Sequence, residues 1–414
     1  MSPTSKRAAT AIYVACTFLS TSYITIVSLA YILNSYSYVA PTTVTLLLTL
    51  PALIGLVVSF ITGPIAMRAN KKILLIISYC CMIISVALYA FVGSKSIMLL
   101  MVAAVFCGLS QGSSGTLQNA IIADYIAPEN RANVMAVVNA LAYGGSIFYN
   151  IVGGKIASAN GGANWNHAYF LGFILIPTTI LFAILLPKKE TSTSEVSSAA
   201  AADTAPTDAV GQKATELPAY PVILCFLYGI SMVFQYCTGL NMSNYYVNLL
   251  QLGDASMAGL VMSAGTLGVF ISGLLYKYYS KPLKNWVPVV GMAGYALGSL
   301  MIAFIPNSAV FTVAQFIMGA STGCMTPYIV ATISIKTPAK WVPVAMSLFM
   351  GLMNGFMFLA QYILDFLGKI GVDAANPVAF VGNKFAVSGY GLILCTIACI
   401  ILFPVYDKKQ VHKN

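Results

Sequence analysis

The sequence predicts an all-α integral membrane protein: twelve transmembrane helices in two six-helix halves that repeat one another. Three observations predict it. Hydrophobic residues make up 59% of the chain and charged residues 8%, against roughly a quarter charged in a soluble domain, and the mean hydropathy is +0.84. The apolar runs are about 20 residues or longer, the length of a bilayer-crossing helix rather than of a ~10-residue barrel strand. Gly108, Gly112 and Met135 return as Gly319, Gly323 and Met346, at a constant offset in the sequence.

The elements follow in order. Spans are expected near 8–34, 41–67, 72–93, 97–125, 131–157, 167–187, 219–247, 255–279, 284–305, 309–334, 340–367 and 380–405. The run after Ala8 is too long for a signal-peptide core and reads as the first helix. Pro41 and Pro338 sit near helix starts, and Pro51 falls inside the second span, where it bends the helix. Between spans six and seven, residues 189–217 are polar, rich in Ser, Thr and Ala, and without apolar periodicity. They read as a flexible linker between an amino-terminal half (1–188) and a carboxy-terminal half (218–414). Trp165, Trp286 and Trp341 fall near span ends and read as interfacial anchors. The nine cysteines lie in apolar runs without metal spacing and read as small hydrophobes.

Orientation follows from the basic residues. With the amino terminus inside, only Lys95, Lys155, Lys369 and Lys384 of the 21 Lys and Arg fall in outer segments. Both termini are then cytoplasmic. The net charge of +10 is thus a topology signal and gives no ground for a nucleic-acid partner.

Polar residues inside membrane helices normally face the bundle interior. Here they recur at helical spacing. Span one carries Thr17, Thr21, Thr25 and Ser28; span four carries Ser110, Gln111, Ser114 and Gln118. Span five carries Asn139, Tyr143, Ser146 and Asn150; span seven carries Gln235, Thr238 and Asn241. Span ten carries Gln315 and Thr322, and span eleven Asn354 and Gln361, with a stripe of Met346, Met350, Met353 and Met357. From these sets Thr21, Gln111, Ser114, Gln118, Asn139, Tyr143, Asn150, Gln235, Asn241, Thr322, Asn354 and Gln361 are the candidates for lining a central cavity. Asn150 and Gln361 are equivalent under the repeat offset.

No Asp, Glu, Lys, Arg or His is expected near the middle of any span; Asp124 and Asp365 stand towards span ends. That points to a solute that is neutral overall, zwitterionic or amphipathic. Enzyme chemistry finds no support: there is no Walker-type phosphate loop, no embedded metal set and no repeated filter loop. No cofactor pattern is visible.

The loop after span two reads Gly63-Pro-Ile-Ala-Met67-Arg68-Ala-Asn70-Lys71-Lys72. It resembles the major facilitator superfamily signature G-x-x-x-D-R-x-G-[RK]-[RK], with Met67 for the Asp and Asn70 for the Gly. The copy after span eight is weaker, keeping Gly273 and Lys281 but carrying Lys277 at the Asp position. Asp124, Pro128, Glu129 and Arg131 resemble the family's acidic-to-Arg segment between spans four and five. The resemblance implies a secondary or facilitative transporter working by alternating access, with Arg68, Asp124 and Arg131 as a cytoplasmic gate. A small-molecule solute and the lipid bilayer are the expected partners, and a functional monomer is expected; short loops without a signal or a glycosylation-rich exterior point to a plasma membrane, read as a bacterial inner membrane. Gly108 stands where proton-coupled relatives carry Arg, and Tyr149-Asn150 replace the Gly-Pro of drug antiporters. The alternative is a proton-coupled multidrug-type efflux antiporter using Asp124 or Asp365.

Overall fold

A backbone inside a bilayer must satisfy its own hydrogen bonds, so long apolar runs fold as helices. The computed structural model describes residues 3–93, 95–186, 219–283, 286–337, 342–373 and 375–411, and they are helical almost throughout. The expected linker at 189–217 lies outside the described residues. The chain divides into two compact units. The first holds α1 (Pro3–Thr17), α2 (Ser22–Ser35), α3 (Pro41–Arg68), α4 (Lys71–Val92), α5 (Ile97–Tyr125), α6 (Pro128–Phe148), α7 (Gly154–Ser158) and α8 (Leu175–Leu185). The second holds α9 (Ala219–Gln235), α10 (Cys237–Asn244), most of α11 (Ala255–Leu283), α12 (Val287–Phe304), α13 (Ser308–Lys336), α14 (Val342–Leu367) and α15 (Pro377–Val411). The segment Asp254–Gly259, which opens α11, belongs to the first unit.

Eleven helical stretches among the described residues are long and apolar enough to cross a membrane. The expected fifth span is not one of them, yet it is helical from Pro128 to Ser158, through a π-helical turn at Tyr149–Gly153.

Helix starts follow local chemistry. Proline occupies the first turn of α3, α6 and α12, where no N–H is needed. Asn70, which departs from the signature glycine, caps α4: its Oδ1 accepts from the Lys72 N–H at 3.0 Å. Asn307 caps α13 in the same way, accepting from Ala309 N–H at 2.9 Å.

Close helix contacts run through the repeated glycines. A Cβ on Gly108 would lie 2.8 Å from the Pro51 carbonyl of α3, and one on Gly112 would lie 2.7 Å from the Gly55 backbone. In the second unit a Cβ on Gly319 would collide with the Gly265 carbonyl of α11, and one on Gly323 would lie 2.6 Å from the Val269 carbonyl. Each pair is a small-xxx-small seam, which lets two backbones meet.

The first span of each half is broken, where one continuous helix was expected. Residues 18–21 interrupt α1 and α2, and Tyr236 interrupts α9 and α10. Thr17, Ser20, Thr21 and Ser22 cluster at the first break, and such side chains compete with the helical backbone. A tyrosine answers each break. Tyr149 donates from its hydroxyl to the Phe18 carbonyl at 2.8 Å, and Tyr295 to the Gln235 carbonyl at 2.6 Å. Gly145, four residues before Tyr149, lets α6 press against the Thr17 carbonyl.

Two expectations are corrected here. Trp165 is no interfacial anchor: it is fully buried, with Nε1 donating to Ser35 Oγ at 2.9 Å, because the preceding glycine-rich turn folds it back into the unit. Trp286 is exposed, and Trp341 lies outside the described residues. Seven cysteines are buried, but Cys80 is exposed and Cys81 half-buried, on the outward side of α4. Of the methionine stripe, Met346 and Met353 pack on the second unit's core and Met350 is exposed.

Gly319→Leu is expected to destabilise the protein by about 1–3 kcal/mol or to prevent its recovery in folded form. Gly273→Leu, where a Cβ meets nothing within 4 Å, leaves the unfolding temperature in detergent unchanged. Equal effects of the two changes would count against the seam.

Candidate functional site

Helix α5 sorts its small and polar residues onto three sides. Gly108 and Gly112 meet α3. Ser110 and Ser113 turn to α4: Ser113 Oγ donates to Ser78 Oγ at 2.9 Å, and Ser78 Oγ donates to the Ser110 carbonyl at 3.1 Å. Gln111, Ser114, Gly115 and Gln118 line a cavity of about 350 Å³ inside the first unit. The expected grouping of Ser110 with Ser114 and Gln118 is therefore corrected; the α3 seam rotates Ser110 away.

The rest of the cavity wall comes from the α1–α2 break (Cys16, Leu19, Ser20, Ser22) and from α6 (Val138, Asn139, Ala142). No charged side chain stands among these residues. Gln118 Nε2 donates to the Tyr79 hydroxyl at 3.1 Å, and Gln111 Nε2 reaches Cys107 Sγ at 3.3 Å. Four expected site residues, Gln111, Ser114, Gln118 and Asn139, thus meet in one cavity. Thr21 is buried at the start of α2 without lining it, and Tyr143 lies on α6 outside the lining. Asn150 is fully buried in the π-helical turn, with neither amide atom hydrogen-bonded. Sequence reasoning missed Cys16, Leu19, Ser20 and Ser22; the run of hydroxyl residues from Thr17 to Ser22 was the available signal.

The second unit gathers a different set. Lys384, expected in an outer segment, sits inside the span Pro377–Ile401 and is 4% exposed. It is ion-paired with Asp365, contacts Asn241 Oδ1 at 3.4 Å, and lies 4.4 Å from the centre of the Phe380 ring. Gln361 Nε2 donates to the other oxygen of Asp365 at 2.6 Å. The correction has a plain cause: Asn383 donates to the Gly368 and Ile370 carbonyls, which ties the start of α15 to the end of α14. Gln361 and Asn241 are brought together by this pair. Gln235 is buried at the α9 break. Thr322 and Asn354 spend their donors on their own helices, on the Met318 and Met350 carbonyls.

At the end of α5 that was read as a gate, Asp124 pairs with Lys71 at 2.8 Å. Arg68 is exposed and is not the basic partner in this pair; the Arg131 side chain lies outside the described residues. Burial, then the Asp124 charge, raises the neighbouring Tyr125 phenol above its ordinary value. Among the described residues no His, Cys, Asp or Glu cluster could hold a metal ion.

Two helical membrane units with broken first spans and a polar cavity match the architecture of secondary transporters. The Major Facilitator Superfamily model matches residues 10–362. The chain belongs to that superfamily, whose members are non-enzymatic transporters working by alternating access. Its fold is similar to a crystal structure of tetrameric PepTSo2, with TM-score 0.73, 11% identity, and 98% of this chain and 99% of that one covered. It is similar to a crystal structure of a point mutant of the nucleoside transporter NupG, with TM-score 0.73, 10% identity and 96% and 99% covered. It is also similar to a bacterial homolog of the human lysosomal transporter Spinster, inward-facing and unoccupied, with TM-score 0.65, 15% identity and 97% and 96% covered. Among curated proteins no sequence relative matches.

Asp365→Asn leaves a cation buried without its counter-charge and is expected to destabilise the protein by about 3–5 kcal/mol. Adding Lys384→Met recovers most of that loss. Thermal unfolding of the single and double variants checks this, and an unrecovered double variant would remove the pairing as the cause.

Proposed function

We propose that the chain moves a small organic solute without strong net charge, or an amphipathic one, and that the cavity of the first unit is part of its path. One observation carries this reading: the cavity wall offers amides, hydroxyls and apolar surface but no charge. A full charge entering such a wall has nothing to offset its desolvation. The second unit's Asp365 and Lys384 neutralise each other and add no net charge to attract an ion. With Lys384 inside a span, basic residues weigh still more heavily towards one side, which supports cytoplasmic termini in a plasma membrane, read as a bacterial inner membrane. Lys71 with Asp124 takes the gate role first assigned to Arg68. The protein is proposed to work as a monomer.

A second reading, proton-coupled efflux, is favoured by one observation: Asp365 is a carboxylate held within a membrane span. Vesicle transport with and without a pH gradient separates the readings. Transport unchanged by the gradient removes the coupled one.

Screening metabolites and drugs by thermal shift supplies the solute for the test. Gln118→Leu and Asn139→Ala are each expected to weaken its binding and transport by about 2- to 10-fold, the value of one hydrogen bond. Unaltered affinity in both variants would remove the cavity from the path.

A further inference from the structure

The break between α1 and α2 gives the cavity a polarity that its side chains alone do not show. Within the break, Thr21 N–H donates to the Leu19 carbonyl at 2.8 Å, Tyr23 N–H to Ser20 and Ile24 N–H to Thr21. The N–H groups of Ser20 and Ser22 have no partner among the described residues, and neither do their hydroxyls. Both residues line the cavity. Helix α2 starts at Ser22 and runs for 14 residues, so its amino-terminal end carries about half a positive charge. This wall therefore offers two unpaired N–H groups, two hydroxyls and a positive pole, which suits recognition of a carboxylate.

The facing wall is opposite in character. Gln118 is 9% exposed and borders the same cavity. Its Nε2 donates to the Tyr79 hydroxyl at 3.1 Å, and its Oε1 has no hydrogen-bond partner among the described residues. An acceptor left open on a cavity wall is available to a donor on a bound molecule. A lone anion does not complete this site, because no cationic side chain stands in the wall to balance a full negative charge. A molecule that carries its own cation does.

We propose that the cavity binds a small zwitterion, with its carboxylate on the Ser20 and Ser22 N–H groups and its ammonium donating to Gln118 Oε1. This rests on the reading of the cavity as part of the solute path, and it names the solute class. A volume of about 350 Å³ is at the small end of the range for ligand pockets and suits a molecule of amino-acid size. The unwound backbone is tolerated at membrane depth because it lines this space, and Tyr149 holds it open by taking up the Phe18 carbonyl.

The test uses the full-length protein in lipid nanodiscs and reads the unfolding temperature. The probes are neutral L-amino acids, each paired with its carboxamide, which lacks the carboxylate, and its N-acetyl derivative, which lacks the ammonium. At millimolar concentration at least one amino acid is expected to raise the unfolding temperature by about 2 °C or more, and its two derivatives are not. Ser22→Asp tethers a carboxylate at the helix start, where it is stabilising, and abolishes the shift while the protein stays folded. A carboxamide as effective as its parent, or a Ser22→Asp variant that responds like the unaltered protein, overturns the assignment. So does a flat response to every amino acid. If other neutral solutes still bind in a Gln118-dependent manner, the cavity reading survives that failure; if no bound solute depends on Gln118, the cavity reading falls as well.

Discussion

Close approach of backbone to backbone along two glycine seams sets the rest of the structure. In a bilayer, lipid tails are as apolar as leucine, so helices gain little from hiding apolar surface against each other. Contact must come from dense packing, and Gly108 and Gly112 supply it against Pro51 and Gly55, as Gly319 and Gly323 do against Gly265 and Val269. The seam fixes the rotation of α5. Once its glycines face α3, Ser110 and Ser113 must face α4, and Gln111, Ser114 and Gln118 are left for the cavity. An arginine at position 108, as in proton-coupled relatives, has no room in this packing. Its absence is thus a steric requirement of the seam as well as a statement about chemistry.

The second constraint is the broken first span. Interrupting a helix frees carbonyls and N–H groups that water cannot reach, each at a penalty of several kcal/mol if left alone. The two units use the same remedy with different residues. Tyr149 reaches the Phe18 carbonyl from the turn after α6, and Tyr295 reaches the Gln235 carbonyl from α12. At the first break Tyr149 answers the Phe18 carbonyl, while the Ser20 and Ser22 N–H groups keep no partner among the described residues and border the cavity.

The helical membrane class was legible in composition and run length, because membrane helices follow hydropathy; the repeated glycines were visible as a repeat, but the seams they form were not. The α5 face of the cavity was legible as well, since residues four apart share a face. The breaks were not. No proline or glycine marks positions 18–21 or 236, and each break is answered by a tyrosine distant in sequence. The fate of Lys384 was hidden for a related reason. Its position near a span end looked exposed, and only the Asn383 contacts to the end of α14 draw it inward beside Asp365. The signature drew the eye to Arg68 at the end of α3, while it is Lys71 on the first turn of α4 that pairs with Asp124.

The buried pair in the second unit bears directly on solute charge. A lone Lys384 would make that region an anion trap, and a lone Asp365 would make it a cation or proton site. Together they form a neutral cluster, with Gln361 on one carboxylate oxygen and Asn241 and the Phe380 ring on the ammonium. Each charge is held by two kinds of partner, which limits the desolvation penalty that makes buried pairs a weak source of stability. Two charges retained at such a penalty point to a role in specificity rather than in holding the fold. A neutral, dipolar cluster in one unit and a neutral cavity with opposed donor and acceptor walls in the other repeat a single electrostatic theme. Each presents separated charge without net charge, and it is this that supports the proposal of a solute built the same way.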